Sequence, residues 1–88
     1  MVSYVIAVFS IRSSTMEFSL LLKNNGIRNS VIETPKAISA SCGVCVKISE
    51  NDVFKARKVL KVYGVKNFVN FYIVSNSFGR LMLRPYRF

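Results

Sequence analysis

The 88-residue sequence predicts an α+β domain in which two helices pack on one face of an antiparallel sheet. Three observations carry this. Ser3–Phe9 is a near-continuous run of β-branched and aromatic residues, as a strand buried on both faces requires. Val44, Val46 and Ile48 alternate with Cys45, Lys47 and Ser49, the period of a strand with one buried face. Phe18, Leu21 and Leu22, and later Val53, Ala56, Val59, Leu60 and Tyr63, recur at helical spacing. The resulting order is β-α-β-β-α-β, the split or ferredoxin-like arrangement. At 10.0 kDa the chain closes one core only, so a single domain spanning 1–88 is expected.

The elements follow in order. Ser3–Phe9 is the first strand. Ser14 and Glu17 fit the Ser-x-x-Glu capping box and predict a helix over about 15–25, ended by Asn24-Asn25-Gly26. Ser30–Thr34 reads as a short strand stopped by Pro35, which has no amide to donate. Lys36–Gly43 is a loop of small and hydroxyl residues. After the strand at Val44–Ile48, Ser49 and Asp52 offer a second capping box, and Gly64 closes the second helix. Phe68–Val74 is the last core strand. Asn76-Ser77-Phe78-Gly79 is turn-like, and Arg80–Phe88 ends the chain as an edge strand or a docked tail. The ferredoxin-like core thus spans about 3–74 and the tail 75–88.

Composition narrows the chemistry. There is no histidine, which removes Ser-His and Cys-His pairs, the usual general base near neutral pH and the commonest metal ligand. The four carboxylates are Glu17, Glu33, Glu50 and Asp52, and the capping pattern commits at least two of them to helix N-termini. Conventional hydrolase chemistry is not expected. Val2–Ile11 is apolar but has no basic segment before it and no 18-residue continuation, so neither a targeting nor a membrane segment is expected. Two cysteines three apart do not staple a fold, and a reducing cytoplasm is the expected compartment.

The thiols Cys42 and Cys45 remain. Cys42 follows a hydroxyl-rich loop and precedes Gly43, whose bare backbone admits a close partner. A thiol reacts as its thiolate, which nearby cations favour; Lys36 and Lys47 are the cations within reach along the chain. The alternative is a buried cysteine acting as a small hydrophobe. Cys42-Gly43-Val44-Cys45 is also a C-x-x-C spacing, the pattern of a dithiol redox protein. On an extended strand three residues span about 10 Å, beyond the roughly 7 Å limit for bonded α-carbons, unless Gly43 bends the chain. Two thiolates without histidine do not make a structural zinc site; no metal and no cofactor are expected, short of a dimer pooling four cysteines or a two-coordinate Cu(I).

Thr34-Pro35-Lys36-Ala37-Ile38-Ser39-Ala40-Ser41-Cys42-Gly43, set between the second and third strands of so short a chain, resembles the motif of a small bacterial family of selenium/sulfur carrier-like proteins. The resemblance covers roughly residues 3–73, and the specific part is Thr34 to Gly43. It implies carriage of sulfur or selenium as a persulfide or selenosulfide on the cysteine before glycine, here Cys42. A donor enzyme would load it and an acceptor protein would unload it, in stoichiometric turnover rather than enzymatic catalysis. Thr34, Pro35, Ser39, Ser41 and the Gly43 amide would shape the loop, with Lys36 or Lys47 favouring the thiolate. Cys45 departs from the family pattern, as a resolving thiol or as an incidental strand residue.

The charge supports a reading of another class. Thirteen Lys and Arg against four acids give a net charge of +9. Lys55, Arg57, Lys58 and Lys61 crowd the second helix, and Arg80, Arg84 and Arg87 punctuate the tail. Such a surplus attracts polyanions, so the alternative is a basic module binding nucleic acid or an acidic partner. Lys66-Asn67-Phe68-Val69-Asn70-Phe71 only faintly matches an RNA-recognition signature; it lacks the glycines and falls on the last core strand. Tyr72, Tyr86 and Phe88 are candidates to line a homodimer surface across the open sheet face.

Overall fold

A computed structural model describes residues 2–87. Its elements are β1 (Val2–Phe9), α1 (Arg12–Asn24), β2 (Asn29–Glu33), β3 (Val44–Ile48), a 3-10 turn (Glu50–Asp52), α2 (Val53–Tyr63), β4 (Phe68–Ser77) and β5 (Arg80–Pro85). All five strands join one antiparallel sheet in the order β2-β3-β1-β4-β5. The sequence predicts a four-stranded ferredoxin-like sheet with an edge strand or tail after it; the observed sheet takes in a fifth strand, so its strand order is not the four-strand ferredoxin-like one. What stands is an α+β fold with a five-stranded antiparallel sheet and two helices.

β1 is central, and its apolar run serves both faces. Val5, Ala7 and Phe9 pack with Phe18 and Leu22 of α1, Val53, Ala56 and Val59 of α2, and Val46, Ile48 and Phe71 of neighbouring strands. Both helices therefore cover the same face. Phe9 sits 5.3 Å from Phe18, tilted, and 5.4 Å from Phe68, edge-on, ring centre to ring centre, joining the helix layer to the sheet. Ile6 and Val8 point the other way, into a smaller cluster with Cys45 and Val74. Tyr4, Ile32, Val69, Tyr72 and Leu83 pack against this second cluster, and Ile38 joins them from the loop after β2. The face expected to stand open is thus covered in part by the protein's own loop.

Helix α1 begins at Arg12, earlier than the capping pattern predicts. Its N-cap is Ile11, in extended conformation and without a side-chain cap. Ser14 lies inside the helix and is buried, and its Oγ accepts from Asn67 Nδ2 at 3.1 Å. Glu17 is exposed mid-helix. The predicted Ser14–Glu17 box is therefore not formed: a hydroxyl turned inward takes a partner from the far end of the chain. Ser49 does cap, its Oγ accepting from the Asn51 amide at 3.2 Å, and Glu50 and Asp52 follow in the 3-10 turn leading to α2.

β4 runs on to Ser77, so Ser75–Ser77 belong to the sheet and not to a tail. Phe78 (φ +53°) and Gly79 (φ +73°) form a two-residue turn with both φ positive, the twist that suits a tight hairpin. Arg80–Pro85 then pairs with β4 as an edge strand. Tyr86 turns to the helix side, 6.4 Å from Phe54, while its amide donates to Phe71 O at 2.8 Å. It does not line the opposite face with Tyr72. Phe88, named with them, lies outside the described residues. Among the described residues no helix is long and apolar enough to cross a membrane.

Candidate functional site

The loop between β2 and β3 is closed by its own backbone and hydroxyls. The Thr34 amide donates to Gly43 O at 3.0 Å, continuing the β2–β3 ladder past the strand ends. Ser41 Oγ donates to Thr34 Oγ1 at 2.7 Å and accepts from the Gly43 amide at 2.9 Å. The Ile38 amide donates to Pro35 O at 3.0 Å, which shapes the turn holding Ile38 over the sheet. Gly43 adopts φ +97°, beyond the region that side chains tolerate, and an added Cβ would meet nothing within 4 Å. Only the backbone requires glycine there.

That bend delivers Cys42 to the C-terminal end of β1. The Cys42 amide donates to Phe9 O at 3.1 Å, and the thiol is half-buried beside the first turn of α1. Its Sγ lies 3.4 Å from Thr15 Oγ1 and 3.5 Å from Val44 O. Thr15 is fully buried, and both its amide (3.3 Å) and its hydroxyl (3.4 Å) reach Ile11 O.

Cys45 is placed differently. It stands opposite Val8 and Ile32 in the sheet, fully buried in the smaller cluster under Ile38. Burial pushes its thiol pKa up, against a hydrogen bond from the Thr34 side chain and with a further push from Cys42. Both cysteines are free. They point to opposite sides of the sheet, one toward α1 and one away from the helices.

The other sequence-predicted residues divide. Thr34, Ser41 and Gly43 form the clasp, with Pro35 accepting from Ile38. Ser39 and Lys36 are exposed on the loop. Lys47 is not brought to Cys42: its ammonium sits 4.5 Å over the Tyr4 ring. Tyr4 is five residues down β1 from Phe9, roughly 16 Å of strand away. Thr15 and the Phe9 carbonyl are the partners that local sequence reading misses. Ser13-Ser14-Thr15 reads as helix-start chemistry, and nothing in its spacing announces a contact with residue 42. Among the described residues no three His, Cys, Asp or Glu side chains cluster as metal ligands.

The family model described as "Putative Se/S carrier protein-like" matches residues 4–68. The span begins in β1, contains both helices, the loop and both cysteines, and ends as β4 begins. No curated protein and no solved structure matches the chain.

Proposed function

The chain belongs to the family described as putative Se/S carrier protein-like, and from that premise we propose that it carries sulfur or selenium on Cys42. The observation that supports this most is the contrast between its two thiols. Cys42 is half-buried at the end of a clasped loop, whereas Cys45 is fully buried in an apolar cluster. Cys42 is the less buried of the two and its sulfur is held by Thr15 and Val44, whereas Cys45 is fully buried and burial pushes its thiol pKa up.

Loading proceeds by sulfane transfer. The Cys42 thiolate attacks the terminal sulfur of a donor's persulfide, and the donor's S–S bond breaks. The donor cysteine leaves as a thiolate while a new S–S bond forms on Cys42, so there is no net oxidation. An acceptor nucleophile removes the terminal atom by the same step, and a selenium atom moves alike. The partners are a donor enzyme and an acceptor protein. Exposed Lys55, Lys58 and Lys61 on α2 supply a field that draws an acidic partner at low salt.

The test is incubation with a cysteine desulfurase and free cysteine, followed by mass spectrometry. Wild type and Cys45→Ala gain a sulfur and Cys42→Ser does not. Loading of Cys42→Ser overturns the proposal.

A further inference from the structure

Resting on the carrier reading, we infer that Thr15 is a positioning residue for Cys42, its hydroxyl turning between two acceptors as the sulfur gains or loses charge. Thr15 Oγ1 has two neighbours that matter, Ile11 O and Cys42 Sγ, each at 3.4 Å, and one proton to give. While Cys42 is a thiol, its S–H donates to Thr15 Oγ1 or to Val44 O, and the Thr15 hydroxyl donates back to Ile11 O. A thiolate has no proton and only accepts. The Thr15 O–H then turns to the sulfur, a charge-assisted bond stronger than the one it leaves.

The turn leaves no group stranded. Ile11 O keeps the Thr15 amide at 3.3 Å when the hydroxyl departs. Because Thr15 is fully buried, water does not substitute for the hydroxyl there. Once Cys42 bears a terminal sulfur or selenium, the same O–H holds the inner Sγ and leaves the outer atom to the exposed side of the loop. Threonine suits the role because its buried oxygen faces residue 42. This is a role in aiming the sulfur; the bonds made and broken in transfer remain those of Cys42.

The experiment uses the full chain with Cys45→Ala, so that Cys42 is the sole reporter, and compares Thr15→Val with Thr15→Ser. Iodoacetamide is the probe, which makes the readout independent of sulfur loading. Thr15→Val is expected to slow alkylation by about threefold or more, since loss of a donor to a charged sulfur is only partly offset by greater nucleophilicity. Thr15→Ser restores the parent rate within about twofold, which a merely space-filling role for Thr15 would not require. An unchanged rate in Thr15→Val, or an equal loss in Thr15→Ser, overturns the inference. Should Thr15→Val not fold, Thr15→Ala is read in its place, with the same slowing expected and an unchanged rate overturning the inference. Failure of persulfide loading with the expected alkylation pattern would sink the carrier reading and leave the Thr15–Cys42 bond standing.

Discussion

Cys42 and Cys45 stand three residues apart and face opposite sides of one sheet. The sulfur of Cys42 meets Thr15 of α1, while that of Cys45 lies among Ile6, Val8 and Val74 on the far side. The bend at Gly43 and the strand alternation after it impose this split. In the folded protein a thiol reagent is therefore expected to label Cys42 and spare Cys45, with both labelled after denaturation. Peptide mapping checks it; equal labelling of the native protein would contradict the arrangement.

Ile38 helps to cover the cluster that contains Cys45. It is half-buried and packs on the cluster that holds the thiol. Ile38→Ala is expected to cost about 1–2 kcal/mol, below the range for a fully buried site. It should also raise native-state labelling of Cys45 several-fold while leaving Cys42 unchanged. Chemical denaturation and labelling kinetics read the two effects separately.

The raised thiol pKa of Cys45, caused first by burial, has a definite sign in stability. Between the unfolded and folded values the unfolded chain has lost this proton and the folded chain has kept it, so alkali favours unfolding. The contribution is intact below the unfolded value, about 8.5, and is lost as pH rises through the folded one. Urea midpoints of the wild type should run parallel to those of Cys45→Ala below about pH 8.5 and fall more steeply above it. Curves parallel throughout would remove the effect.

The loop clasp makes a pair of contrasting predictions. Ser41→Ala deprives the Gly43 amide and Thr34 Oγ1 of their partner, an expected loss of about 1 kcal/mol with faster amide exchange at Gly43. Gly43→Ala introduces no clash but forces a side chain to φ +97°, at about 1–3 kcal/mol. A stability change near zero for Gly43→Ala would mean that the bend is not required.

Most of the architecture was legible because it is written in local periods. The alternation at Val44–Ile48 and the stripes of both helices set element types and order. The failures share a cause, which is a partner distant in sequence. Ser14 looked like a cap because Glu17 stands three residues on, yet its hydroxyl is taken by Asn67. Lys47 looked like a neighbour of Cys42 because the chain is short between them, yet strand alternation turns it to Tyr4. The hairpin at Phe78 was only half visible, since phenylalanine does not advertise a positive φ as asparagine would. Cys42 stands out as a candidate in the sequence because absent histidine and scarce carboxylates leave little else. Its contact with Thr15 does not.

The central claim is that Cys42 carries the cargo. Its most direct measurement is tandem mass spectrometry of the protein after reaction with a cysteine desulfurase, with the added sulfur mapped to a residue before any reduction. One extra sulfur is expected on the peptide containing Cys42, assigned by fragmentation to that residue, in wild type and in Cys45→Ala alike. Sulfur mapped to Cys45, or no gain under conditions that load a known persulfide acceptor, would contradict it.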